Sequence, residues 1–175
     1  MSDALQALYS GDAAAKDLLP PDDELSVFEA AAFGRIAPLR RILEEDPEQV
    51  AARIDGFTPL HLAVYGGRAE ACRLLIEQGA DLNAISEGEI AQVSPLGTAA
   101  FVDSIELARL LLDAGADVDA HGPDRFTALH TAAELDDVEL SGLLVAYGAD
   151  RTMENRRGQR PIDLAKSAEM RAVLG

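Results

Sequence analysis

The sequence predicts an all-α chain of helix-turn-helix repeats joined by hairpin-like loops and stacked as a solenoid. Two recurring markers predict it. The first opens a helix: Thr58-Pro59-Leu60-His61, Ser94-Pro95-Leu96-Gly97, Thr127-Ala128-Leu129-His130 and Arg160-Pro161-Ile162-Asp163, spaced by 36, 33 and 33 residues. The second closes a helix: Gly79-Ala80-Asp81, Gly115-Ala116-Asp117 and Gly148-Ala149-Asp150, spaced by 36 and 33. Both markers carry the same three-residue insertion, which places it between Asp81 and Ser94. Internal self-similarity of this period is the signature of stacked repeat units.

Each element of the unit has a local cause. Thr58 and Ser94 are suited to cap a helix N-terminus, and Pro59 and Pro95 fit its first position, where no intrahelical N–H bond is needed. Small residues follow at Ala63, at Ala99 and Ala100, and at Ala132 and Ala133, so a neighbouring helix can approach closely. A break comes next at Gly66-Gly67, Val102-Asp103 and Leu135-Asp136. The second helix opens with Glu70, Glu106 and Glu139. Asp103 with Glu106, and Asp136 with Glu139, have the spacing of a capping box. Leu74, Leu75, Leu110, Leu111, Leu143 and Leu144 give the second helix an apolar side. Gly79, Gly115 and Gly148 suit the left-handed position that terminates a helix. Polar loops with the turn pairs Asp55-Gly56 and Gly122-Pro123 lead into the next unit. One such unit cannot bury its own apolar faces, whereas a stack can.

The unit resembles the ankyrin repeat, most closely over 56–83, GFTPLHLAVYGGRAEACRLLIEQGADLN. A weaker unit precedes it at the same offset: Val27, Ala30, Gly34 and Leu43 align with Leu60, Ala63, Gly67 and Ile76. Earlier still, Ala7 to Leu19 resembles Ala63 to Leu75, and Pro20-Pro21 leaves too little chain for a full hairpin. The expected organisation is an N-terminal helical half-unit at 1–21 and a repeat domain at 22–175. Within that domain a degenerate cap at 22–54 precedes three full repeats at 55–87, 91–123 and 124–156, and a shortened cap follows at 157–175. Caps are needed to shield the apolar ends of a stack.

Composition narrows the function. The chain has 175 residues, 48% hydrophobic and 26% charged, with 31 acidic against 15 basic groups and a formal charge of −16. Residues 1–150 carry a net −19 and residues 151–175 a net +3. An acidic body argues against binding nucleic acid or anionic membrane, which takes clustered Lys and Arg. One cysteine excludes an internal disulfide framework. No apolar stretch reaches the ~20 residues that span a bilayer, and a basic-then-apolar leader is missing from the N-terminus. A cytoplasmic monomer is the expectation.

No phosphate-cradling Gly loop, His-Glu-x-x-His or Gly-x-Ser-x-Gly motif is present, so no catalytic residues, metal site or cofactor are expected. His61 and His130 occupy equivalent positions two units apart, too far to share a metal, and are expected to hydrogen-bond within the first helical turn and to the adjacent loop. His121 is expected to be exposed and inert. Cys72 reads as a buried small apolar residue. The cluster of Asp113, Asp117, Asp119 and Asp124 is expected to lie on opposite sides of a loop. The basic run Arg151, Arg156, Arg157 and Arg160 is expected to complement the acidic body or to be solvated.

The resemblance implies a partner-binding surface made by the loop tips and the first helix of each unit. Here that surface would present Phe57, Tyr65, Val93, Phe101, Val102, Phe126, Glu134 and Leu135. Contiguous apolar residues on a surface mark interfaces, and aromatics are enriched in binding hot spots. The competing expectation is that the loop-tip Phe residues only pack against neighbouring hairpins. The inserted loop at 85–93 would project at the edge of the same surface. These readings converge on a non-catalytic protein-interaction module that prefers a basic partner. The alternatives are an acidic inhibitor or nucleic-acid mimic that fills a basic site on another protein, and, less favoured, a small-molecule receptor or enzyme.

Overall fold

A computed structural model describes residues 2–87 and 92–175. Among these residues the chain forms eleven α-helices, and the only strand-like pairing is the single bridge between Ile54 and Phe57. The chain divides into two compact units, one ending at Asp81 and the other beginning at Leu82.

In the first unit α1 (Asp3–Tyr9) leads through a 3₁₀ turn at Ala15–Leu18 to the pair α2 (Val27–Ala32) and α3 (Ile36–Glu45). A second 3₁₀ turn, Pro47–Ala51, leads to the pair α4 (Pro59–Tyr65) and α5 (Ala69–Glu77). First helix packs on first helix, α2 against α4, and second on second, α3 against α5. Ala30, Ala31 and Ala32 are fully buried in this stack, as are Leu60, Leu62 and Ala63. Close approach explains the small residues. A Cβ on Gly66 would lie 2.1 Å from the Ala32 carbonyl oxygen, so only glycine fits there.

The second unit repeats the plan with α6 (Pro95–Phe101) and α7 (Ile105–Asp113), α8 (Ala128–Leu135) and α9 (Val138–Ala146), and the short α10 (Pro161–Leu164) and α11 (Ala168–Leu174). Here α6 packs on α8 and α8 on α10, while α7 packs on α9 and α9 on α11. Leu107, Leu111, Leu140, Leu144 and Met170 are buried in the layer of second helices.

Helix starts follow the predicted chemistry at α4, α6 and α8. The Thr58, Ser94 and Thr127 side chains accept the N–H of His61, Gly97 and His130. Starts of the second helices differ from expectation. Asp103 and Asp136 are not capping-box residues. Each has a left-handed backbone, φ 55° and 62°, at the place Gly67 takes with φ 71°. The turn between the helices requires a positive φ, which aspartate tolerates better than most side chains. The cap falls one residue later, where Ser104 accepts Leu107 N–H and Asp137 accepts Leu140 N–H. Gly79, Gly115 and Gly148 terminate α5, α7 and α9 with positive φ as predicted. At Asp55-Gly56 both residues have positive φ, 48° and 84°, the backbone of a tight hairpin turn.

Of the inserted segment 85–93, residues 88–91 lie outside the described residues. Its flanks are tied together: Ser86 N–H donates to the Val93 carbonyl at 2.9 Å, and Val93 N–H donates to the Ser86 hydroxyl at 3.0 Å.

Candidate functional site

In the first unit the capping histidine organises the loop tip. The His61 Nδ1 accepts the Thr58 N–H at 3.3 Å and lies 2.8 Å from the Thr58 hydroxyl. The Phe57 ring meets His61 edge-on at 5.9 Å. Phe57 and Tyr65 are both half-buried, and the residue that covers them is Tyr9 at the end of α1. The Tyr9 ring lies 6.0 Å from Phe57 and 4.9 Å from Tyr65, and the Tyr65 hydroxyl donates to the Tyr9 carbonyl at 3.5 Å. Tyr9 and Tyr65 hold equivalent repeat positions, and the intermediate equivalent is Ala32. Its small side chain lets the two rings meet across one layer. Burial, with Tyr65 and Asp55 adding to it, pushes the Tyr9 phenol up to about 12. Leu5 is buried with Ala32 and Leu62 in the same cluster. Burial opposes the charge of Glu29, but hydrogen bonds from Ser26 and Ser2 outweigh it and hold the carboxyl below its usual range. The residues 2–10 thus dock on the first helices.

In the second unit Gly97 takes the histidine position. A Cβ there would stand 3.4 Å from the Val93 Cβ, so Val93 fills the space and is half-buried. Phe126 packs on His130 at 5.1 Å and is half-buried. His130 Nδ1 accepts the Thr127 N–H at 3.2 Å, which leaves Nε2 to carry the proton and donate to the Gln159 carbonyl at 3.1 Å. Burial lowers the His130 pKa, and the carbonyls of Gln159 and Met153 only partly offset it. His130 is therefore a neutral structural bridge from α8 to the next loop. At the far end of the same helices the picture reverses. Phe101, the last residue of α6, is 64% exposed, and Leu135, the last of α8, is 51% exposed. Val102 is half-buried and Glu134 exposed.

Carboxylates flank this exposed pair in the sequence, at Asp103, Glu134, Asp136 and Asp137. Asp103 stands against Asp137, and hydrogen bonding to it, with its negative charge adding, raises the Asp103 pKa. Asp137 Oδ1 accepts Leu140 N–H, and its Oδ2 is buried without a hydrogen-bond partner. One repeat later the equivalent Asp136 meets backbone N–H groups instead, accepting Lys166 N–H at 3.1 Å and Ser167 N–H at 3.0 Å. Those bonds hold its carboxyl below the usual range.

Several side chains outside the predicted face connect successive loops. Asn83 Oδ1 accepts Asp117 N–H at 2.8 Å, and the Asp119 carboxylate accepts Asp150 N–H at 3.0 Å. The sequence signal was present, since Asn83 and Asp119 stand four residues after Gly79 and Gly115. His121, expected to be exposed, is half-buried. Its Nδ1 lies 2.8 Å from the Gly122 carbonyl, and it lines a shallow open cleft of about 470 Å³ with Ile85, Gln92 and Pro123. Cys72 is fully buried, and burial pushes its thiol up to about 12, an inert state. Arg160 pairs with Asp163 at 3.3 Å, and Arg151 donates to the Gly175 carbonyl at 2.8 Å. Among the described residues no three His, Cys, Asp or Glu converge as metal ligands, and no helix is long and apolar enough to cross a membrane.

Comparison with known proteins agrees with this architecture. The family model "Ankyrin repeats (3 copies)" matches residues 2–86 and 27–122, and "Ankyrin repeat" matches 124–156. The chain is 41% identical over 58 residues to the human "Ankyrin repeat domain-containing protein 49", covering 33% of this chain and 24% of that protein. It is 49% identical over 49 residues to the Arabidopsis thaliana "Serine/threonine-protein kinase VIK", covering 27% and 11%. It is 33% identical over 58 residues to the mouse "Protein phosphatase 1 regulatory subunit 12A", covering 33% and 6%. The matched segments thus span a quarter or less of these relatives. Helix pairs, capping chemistry and family matches lead to one conclusion: the chain belongs to the ankyrin-repeat family, with an ankyrin-type fold whose repeats are generally protein-interaction modules and typically non-catalytic.

Proposed function

We propose that this chain is a non-catalytic module that binds a partner protein through the loop tips and first helices of its repeats, at Phe57, Tyr65, Val93, Phe101, Val102, Phe126, Glu134 and Leu135. The exposure of Phe101 and Leu135 at the ends of two packed helices carries the reading. Large apolar side chains at 64% and 51% exposure have nothing to gain from water, and burying each against a partner is worth about 1–2 kcal/mol. The capped, closely stacked helices hold these side chains in place, so little ordering entropy is lost on binding. In the organisation that goes with this reading, the helical half-unit 1–21 precedes a repeat domain at 22–175, whose degenerate cap at 22–54 shields the N-terminal end of the stack. The acidic body favours a basic partner and raises its association rate.

The test is affinity capture with the purified chain, followed by hydrogen-exchange footprinting with the captured protein in purified form. Protection over 93–102 and 126–135 is expected. A variant with alanine at Phe57, Tyr65, Phe101 and Phe126, checked for helicity by circular dichroism, should lose capture. Equal capture by a folded variant, or protection confined to the second helices, would overturn the proposed face.

A further inference from the structure

We infer that partner binding is concentrated at the ends of α6 and α8 in the second unit, and that the occupant is a basic segment carrying two apolar side chains. This deepens the proposed function and rests on it. The aromatic positions are not equivalent in the folded chain. In the first unit Tyr9 covers Phe57 and Tyr65 from within the chain, at 6.0 and 4.9 Å. In the second unit Phe126 is held on His130 and Val93 fills the gap over Gly97. Phe101 and Leu135 remain, more than half exposed.

Charge decides what can reach them. Residues 101–140 contain ten acidic side chains and two basic ones, Arg109 and Arg125. Glu134 flanks Leu135 directly and is exposed. Asp103 stands two residues beyond Phe101 against Asp137, which itself stands two residues beyond Leu135. An acidic or neutral segment laid on Phe101 and Leu135 would bring no compensation to these carboxylates, and an acidic one would be repelled. Lysine or arginine beside the apolar anchors would neutralise them. Geometry constrains the anchors as well. Packed helices lie ~8–10 Å apart, so two side chains seated at the ends of α6 and α8 are about 10 Å apart. That separation corresponds to roughly three residues of extended chain or about seven residues of helix.

The test is selection of random peptides displayed on phage against the immobilised full chain, with the enriched sequences then synthesised and titrated. Enrichment of Lys/Arg-containing peptides with two apolar residues at one of those spacings is expected. The double variant Phe101→Ala, Leu135→Ala should weaken them by about tenfold or more. The variant Leu18→Ala, which removes an exposed apolar side chain outside the proposed face, should change affinity less than about threefold. Asp137→Asn should reduce the salt dependence of binding. Acidic or uncharged consensus peptides, or full binding by the double variant, would overturn the inference. Peptides that depend on Tyr65 and Phe57 instead would overturn it while leaving the proposed function standing. No enriched peptide, together with no captured protein, would overturn both.

Discussion

At Gly66 the constraint is a single contact. The Ala32 carbonyl oxygen stands where a β-carbon would be, and backbone cannot move aside as a flexible side chain can. Gly66→Ala should therefore destabilise the first unit by roughly 1–3 kcal/mol, as overpacking does. Urea unfolding followed by circular dichroism measures it, and an unchanged midpoint would show that the α2–α4 approach is looser than described. Asp103 presents the opposite case, a residue whose charge works against the fold. Its neighbour Asp137 raises its pKa, so protons bind the folded chain more tightly than the unfolded one. The contribution is favourable below the unfolded carboxylate pKa and is lost as pH rises through the raised folded value. Asp103→Asn should then raise the melting temperature at pH 7 and leave it nearly unchanged at pH 3. Asp136→Asn should do the reverse at pH 7, because its lowered pKa reflects bonds from Lys166 and Ser167 that favour the charged form.

The element whose role changed most between sequence and structure is α1. The sequence reads it only as a half-unit ahead of the degenerate cap at 22–54. The last residue of α1, Tyr9, reaches Phe57 and Tyr65, and its N-cap residue Ser2 shares the Glu29 carboxylate. Docking of α1 therefore responds to alkali. Tyr9 titrates near 12 folded against a usual value of 10.0, so its contribution is complete below about 10 and fades as pH rises through 12. Absorbance titration of tyrosinate should lose a late phase in Tyr9→Phe, while the upward shift of Tyr147, hydrogen-bonded to Asp113, remains. Tyr9→Ala should lower stability by about 1–3 kcal/mol and increase the exposure of Tyr65 to small quenchers. A Tyr9 phase at the ordinary value would mean that α1 is not docked in solution.

For the molecule as a whole, charge is the dominant unbalanced quantity. The formal charge is −16, and ion pairs such as Arg41–Glu45 and Arg160–Asp163 are solvent-exposed, where they contribute little. Self-repulsion over the surface is screened within a Debye length of ~10 Å at 0.1 M salt. The melting temperature at pH 7 should rise as sodium chloride goes from about 10 mM to 0.3 M. A fall would mean that specific pairs outweigh the general repulsion. The same screening should slow association with a basic partner, so stability and on-rate are expected to move in opposite directions with salt.

By itself the sequence determined most of what has its cause within a few residues, the exception being the second-helix caps, which fall on Ser104 and Asp137 and not on Asp103 and Asp136. Thr58 with His61, Thr127 with His130, Pro59 and Pro95 at helix starts, and Gly79, Gly115 and Gly148 at helix ends are legible because caps join residues three to five apart, and the dihedral angles that favour them belong to single residue types. The 33-residue recurrence of those signals is what named the fold. The tertiary structure alone decided which side chains are free. Phe57, Tyr65, Phe101 and Phe126 look alike in their repeats, yet Tyr9 and His130 cover three of them and leave Phe101 in water. Asp103 and Asp136 carry the same local signal, yet one meets a carboxylate and the other two N–H groups. Apart from His130, which is local to Phe126, the partners involved stand about 30 to 60 residues away, and only the stacking of one layer on the next brings them together.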